Sequence, residues 1–239
     1  MAALLTLGAF PGRSDAPSSA VRLESLTRAY LGVAYRRDPL GEESGPDRDP
    51  LYRRDAVDCQ TFVEQVLAEY LSPYTPPSRA DLVRIRYRSD SVGFNSRRHF
   101  CVPDWFAPDF PAHEITSTVG LAATRTLRRK LTPRKFLPGL DAAAYPASVR
   151  TVTVKYLPST VAHSWAPLIP SGTIVMLVGD RPGIVISHMG WAFQTRAGCM
   201  LRHASDRRGR VVDEPLEQFL RSHRRMIGAV LLQAGNSAR

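Results

Sequence analysis

The periodicity of the apolar residues changes once along these 239 residues, and that change limits the fold more than any other feature. Before about residue 90 they recur at helical intervals, and after about residue 150 they alternate. "SSAVRLESLTRAYL" (residues 18–31) sets Val21 or Leu23, Leu26 and Tyr30 on one face, behind serines able to cap a helix. In "DCQTFVEQVLAEYL" (residues 58–71), Phe62, Val63, Val66, Leu67 and Tyr70 form one helical stripe, with Asp58 placed as N-cap and "PYTPP" as the stop. "SRADLVRIRY" opens on Ser78 with Asp81 three residues later, the start of a short capped helix. "VRTVTVKYLP" then alternates as a half-buried strand does. "TIVMLVGD", "IVISHMGWAF", "CMLRHAS", "RVVDE" and "MIGAVLLQA" follow as strands, with the short helix "PLEQFLRSH" before the last. Helices first and an antiparallel sheet afterwards is the α+β layout.

Residues 18–235 read as a single domain, preceded by a tail or leader remnant at 1–17. "MAALLTLGAF" is apolar but lacks the basic start of an export signal. No apolar run approaches the roughly 20 residues that span a bilayer. The segment from about 90 to 146 is irregular, rich in prolines and aromatics, and reads as an insertion that lines a site or covers one. The formal net charge is +10, and six of the basic residues, with no acid, fall between Arg125 and Phe136. Such a patch suits an anionic envelope polymer. No zinc-finger spacing or aromatic RNA-binding signature accompanies it, so nucleic acid is not expected.

Cysteine is scarce: Cys59, Cys101 and Cys199 form no C-x-x-C pair, and an odd number leaves at least one thiol free. Cys59 stands at the mouth of the second helix, where the helix dipole and a neighbouring imidazolium would lower its pKa and Asp58 would oppose both. Histidines occur at positions 99, 113, 163, 188, 203 and 223. Pairing Phe193 with Gly198 around the loop "QTRA" puts His188 directly opposite His203 on one face, close enough for one ring to hold the other. The arrangement suits a Cys59 nucleophile, a His188 base and a His203 that fixes its tautomer, with the Cys59 N–H as an oxyanion donor. The same residues also suit a buried apolar cysteine and a hydrogen-bonded core pair of histidines. Zinc on Cys199, His203 and His188 is sterically allowed, but no carboxylate to hold the outer nitrogen of a histidine ligand is evident from the sequence, and no metal or organic cofactor is expected.

"VDCQTFVEQVLA", "ISHMGWAF" and "LRHAS" together resemble the NlpC-type cell-wall cysteine peptidases, and within them the N-acetylmuramoyl-L-alanine amidase-like family. "YLGVAYRRDPLGE", "SRRHFCVPDWF", "IPSGTIVML" and "GRVVDEPLEQFL" extend the resemblance through most of the chain. The resemblance implies a papain-like α+β domain, a Cys59–His188–His203 triad and cleavage of amide bonds in peptidoglycan peptides or fragments. It also assigns Tyr35, Asp58, Arg98, His99 and Ser187 to the substrate side. Gln60 stands where relatives usually carry Ser or Thr, and "SGT" replaces a Pro-Gly-Asp turn. Such a substrate favours the cell envelope, periplasmic or secreted, while a cytoplasmic recycling role is still compatible with a free thiol. An acyltransferase or lipid-modifying enzyme of the same superfamily, and a non-catalytic polyanion-binding protein, are the alternatives.

Overall fold

The computed structural model describes residues 18–141 and 151–235. The first helix, α1 (Ser19–Arg28), is capped by the Ser18 hydroxyl and buries Leu23 and Thr27, while Val21 faces solvent. Two short strands, β1 (Ala34–Tyr35) and β2 (Ala56–Val57), pair in parallel across the long loop between them. Helix α2 (Cys59–Leu71) follows, and α3 (Arg79–Arg86) starts on the expected Ser78–Asp81 capping box.

The stretch read as irregular contains short regular pieces. They are α4 (Cys101–Asp104), β3 (Ala112–Glu114), α5 (Thr116–Gly120), β4 (Arg125–Lys130) and α6 (Pro133–Phe136). Strand β4 is the basic run itself. It pairs antiparallel with β5 (Thr151–Pro158) and ends the sheet, where unpaired backbone is best protected by charged side chains. Its basic residues mask the alternation, because an edge strand with one exposed face needs little apolar content. After α7 (Ala162–Trp165) come β6 (Thr173–Gly179), β7 (Ile186–Thr195), β8 (Gly198–Ser205), β9 (Arg210–Pro215), α8 (Leu216–Ser222) and β10 (Met226–Ala234).

The ten strands form one mixed, mostly antiparallel sheet in the order β2-β1-β9-β8-β7-β6-β10-β5-β4, with β3 also pairing with β10. Strand β6 is buried along its whole length because both of its faces are covered. Ile174, Met176 and Val178 pack with Phe62, Val63, Val66 and Leu67 of α2. Val175 and Leu177 pack with Trp165 of α7 and with Leu216, Phe219 and Leu220 of α8. Helix α2 is more than amphipathic, since every residue from Thr61 to Glu69 is buried, three of them polar or charged beyond the threonine. Glu64 meets Arg86, Gln65 accepts from the Arg53 N–H, and Glu69 is held by Tyr30, Tyr52 and Arg54.

The β7–β8 register differs from the sequence-based one by two residues. Thr195 pairs with Gly198 around Arg196 and Ala197, a turn closed by the Thr195 hydroxyl and by Gly198 at φ 103°. A four-residue loop is replaced by a two-residue one, so His203 faces Gly190 and His188 is its diagonal neighbour. A shift of two keeps every side chain on its face, so the two rings still meet. Gly190 is what makes room. A Cβ there would lie 2.5 Å from the Arg202 carbonyl oxygen and 2.9 Å from the His203 Cβ. Replacing Gly190 with Ala should therefore destabilise the domain by about 1–3 kcal/mol, measured by urea unfolding, and an unchanged midpoint would contradict this packing.

Candidate active site

Asp58 caps α2 as the spacing predicts. Its Oδ1 accepts from the Thr61 N–H at 2.8 Å, and its Oδ2 accepts from the Asp38 N–H at 3.1 Å, tying the long N-terminal loop to the helix mouth. Cys59 is then the first helical residue, half-buried, and the free N–H groups of the first turn lie beside its sulfur. The backbone N–H groups of Met189, Gln60 and Cys59 itself all favour its thiolate. They do not prevail. Burial, with Asp58 adding to it, pushes the Cys59 thiol up to about 12, the reverse of the lowering expected from the helix end and a charged histidine.

The donor from Met189 exists because β7 and β8 part company. Their ladder runs from Thr195–Gly198 to Trp191–Arg202, and β8 continues on β9 alone as far as Ser205. Gly172 and Ser171 bond Ala192 and Gln194 on the β6 side. Alternation along the strand therefore turns the Met189 N–H toward the side that β8 has left. One residue earlier, Ser187 is a bulge against β6, between the Leu177–His188 and Val178–Ile186 pairs.

His188 fills the opening. Its Nε2 lies 2.7 Å from His203 Nδ1 with the rings nearly perpendicular, and its flat face lies over Phe219 of α8, 5.7 Å between centroids. Phe219 in turn stacks on His223 at 4.0 Å. Burial first, then the positive potential of His203 and His223, lowers His188 to about 3, so it is neutral at pH 7. With Nε2 committed to His203, Nδ1 is the ring nitrogen left for the cavity that His188 and Cys59 both line.

That cavity holds about 200 Å³ and is walled by Asp58, Gln60, His99, Cys101, Ser187 and Met189 among others. A second one of about 400 Å³ shares Asp58, Gln60 and His99 and extends over Arg37, Arg97 and Phe136. The irregular segment thus does supply part of the wall. Of the residues assigned to the substrate side, Tyr35 sits on β1 opposite Val57, and its hydroxyl is raised by burial and then by Cys59 and Asp58 nearby. Ser187 is exposed on its bulge at the rim. His99 faces both cavities, with Nε2 2.7 Å from the Phe94 carbonyl and a pKa lowered to about 4 by burial. Arg98 does not join them. Its guanidinium is buried and divided between the Tyr87 and Asp104 carbonyls and the Asp109 carboxylate.

Gln60 bonds Glu64 and the Arg98 carbonyl and accepts from the Cys101 thiol, so it fastens the insertion to α2. All three cysteines are free, with Cys199 in the apolar layer under α8 and Cys101 on the α2 side. Among the described residues, no group of three or more potential ligands is arranged to hold a metal ion. No helix among the described residues is long and apolar enough to cross a membrane. In the basic patch, Arg129 is spent on the Gly179, Arg181 and Ile184 carbonyls, while Arg125, Arg128, Lys130, Arg134 and Lys135 are exposed.

A family model described as N-acetylmuramoyl-L-alanine amidase-like matches residues 25–228. The chain belongs to this family. Its fold is similar to that of protein LPG0564 from Legionella pneumophila str. Philadelphia 1, with TM-score 0.78 and 21% identity over 92% of this chain and 90% of that one. An N-acetylmuramoyl-L-alanine amidase from Bacteroides uniformis ATCC 8492 aligns with TM-score 0.75 and 27% identity over 92% of this chain and 100% of its own. A putative xylanase from Bacteroides fragilis gives TM-score 0.71 and 27% identity over 87% and 99% of the two chains. A search of curated proteins finds no match.

The reversed thiol shift has a direct consequence. Only the thiolate is alkylated quickly, so the iodoacetamide rate at Cys59 in the ligand-free protein should keep rising beyond pH 8.5. A rate that levels off below pH 8 would show that the thiol is ionised at neutrality and that burial does not dominate.

Proposed function

We propose that this protein is a cysteine hydrolase of peptidoglycan peptides, with a papain-like arrangement of Cys59, His188 and His203. The observation that carries the reading is that Cys59, under three backbone donors at a helix mouth, shares a cavity with a histidine whose far nitrogen is held by a second histidine. A buried core cysteine does not need such donors, and a core histidine pair does not need to line a cavity.

Both reacting groups are neutral at rest, which sets the order of events. His188 Nδ1 removes the thiol proton as Sγ attacks the amide carbonyl, so charge appears only with the bond. The oxyanion takes hydrogen bonds from the Cys59 N–H and from the Tyr35 hydroxyl, which burial keeps protonated. The tetrahedral intermediate collapses as His188 protonates the leaving amine, giving a thioester on Cys59. His188 then takes a proton from water, the resulting hydroxide adds to the thioester, and the thiol leaves with that proton. The family description and the similar amidase support the amide between the muramyl lactyl group and L-alanine as the bond cut. Glycoside cleavage has less support, because the carboxylates lining the two cavities are engaged: Asp58 caps α2, Glu64 meets Arg86 and Asp38 meets Arg97.

Incubation with purified muropeptides, followed by mass spectrometry, should release a free stem peptide with a new amino terminus on alanine. Cys59→Ala and His188→Ala should each lower kcat by about 10³-fold or more. A Cys59→Ala protein that keeps its rate would remove the cysteine mechanism, and cleavage within the stem would move the bond assignment.

The five outward basic residues on β4 and α6 would hold the enzyme on anionic envelope polymer. Changing them to Gln should weaken binding to anionic wall material and flatten its salt dependence while leaving hydrolysis of soluble muropeptides intact. Equal binding by the variant would exclude the patch from this role.

A further inference from the structure

Resting on the proposed hydrolase reading, we propose that Glu214 is a positioning residue that fixes the tautomers of His203 and His188 and so keeps the His188 base facing Cys59. The argument begins with protons. For His188 Nδ1 to accept from a thiol, neutral His188 must carry its proton on Nε2 and donate it to His203 Nδ1, 2.7 Å away. His203 Nδ1 is then the acceptor, so the His203 proton must sit on Nε2. That atom is buried, with the side chain 1% exposed, and it has no hydrogen-bond partner. Nothing in the histidine pair alone determines which way the protons run. Reversing both would leave His188 with a proton aimed at the thiol and no lone pair to receive one.

Glu214 Oε2 lies 3.7 Å from His203 Nε2. The placement follows from the sheet. His203 pairs with Val212 and Leu201 pairs with Glu214, so the glutamate is the diagonal neighbour of the histidine on the same face. At 3.7 Å the contact is longer than a hydrogen bond, and catalytic contacts of this kind tighten in the reacting complex. Glu214 can move to close it, because its side chain is 23% exposed and borders a polar cavity of about 360 Å³ beyond α8.

Other charged groups face the pair from each packed element. Arg208 and Asp206 come from the turn before β9, with Arg208 Nε 3.3 Å from Glu214 Oε1. His223 follows α8, and His188 stands on β7, while Asp213 is turned to Arg202. Burial lowers His203, and Glu214 is the largest influence opposing it. Glu214 therefore favours positive charge on His203, and it reaches the imidazolium formed on His188 only through the 2.7 Å contact between the two rings.

The test uses protein carrying ¹⁵N-labelled histidine, whose side-chain spectra assign each ring tautomer in the ligand-free state, together with pH–rate profiles on muropeptides. Wild type should show His203 protonated on Nε2. In Glu214→Leu a fraction should move to the Nδ1–H form, and kcat should fall about 10- to 100-fold. Glu214→Gln keeps an acceptor but removes the charge. It should retain the tautomer and move the acid limb of kcat/KM to lower pH, since a lost carboxylate makes the imidazolium easier to deprotonate. The glutamine is near-isosteric at a partly exposed position and carries the test if the leucine variant does not fold. Unchanged tautomers in Glu214→Leu, or an unmoved acid limb in Glu214→Gln, would overturn the proposal. Absence of any wild-type hydrolysis would instead reject the hydrolase reading, and the tautomer spectra would still decide the role of Glu214.

Discussion

The complete burial of α2 is the constraint from which the site follows. A helix with Glu64, Gln65 and Glu69 inside the protein is tolerable only if each finds a partner, because an unpaired buried carboxylate costs several kcal/mol. Tyr30, Tyr52 and Arg54 close around Glu69 at one end of the helix. Arg86 meets Glu64 and also donates to the Leu40, Gly41 and Leu51 carbonyls. Arg97 gathers Asp38, Glu42 and Asp47. The long loop before the helix is thereby fixed through buried arginines, and Asp58 is left to cap the helix and hold Asp38 at the same time. Cys59 is thus placed by groups that the buried helix behind it requires.

On the other side of the cavity, rigidity comes from strands that separate. Strand β7 is apart from β8 before Trp191, and the gap is filled by His188 rather than by a backbone ladder. The ring is clamped by His203 at its edge and by Phe219 on its face, and Gly190 leaves the space His203 needs. A separated ladder exposes backbone donors that would otherwise be paired, and the Met189 N–H beside the thiol is one of these. The same burial that orders the groups holds them neutral, since transferring a thiolate and an imidazolium out of water costs more than three backbone donors return. In the proposed mechanism, charge separation is thereby deferred until substrate is bound.

Much of the frame was legible because it depends on local chemistry. Asp58 and Thr61, three apart at the start of an apolar helical stripe, mark a cap, and the alternation in 151–158 and the short apolar runs in 173–179 and 226–234 mark strands. Strand β4 was hidden because an edge strand is selected for charge, and the direction of Arg98 was hidden because an arginine looks the same in sequence whether it faces a cavity or turns to the Tyr87 and Asp104 carbonyls and the Asp109 carboxylate. The role of Phe219 as a platform between His188 and His223 had no signal in the sequence, since α8 reaches them only after the sheet is assembled.

Taken alone, the sequence determined that a cysteine opens a capped helix, that two histidines lie on one face of adjacent strands, and that the layout is α+β. These follow from spacing, and spacing survives folding. Tertiary structure decided the two-residue turn that sets the register, the parting of β7 from β8, the turning of Arg98 away from the cavity, and the nearness of Glu214 to His203. It also decided the neutral state of Cys59 and His188. Each of these depends on what is packed against a group from elsewhere in the chain, and electrostatic energy in a protein is set by that surrounding medium as much as by the group itself.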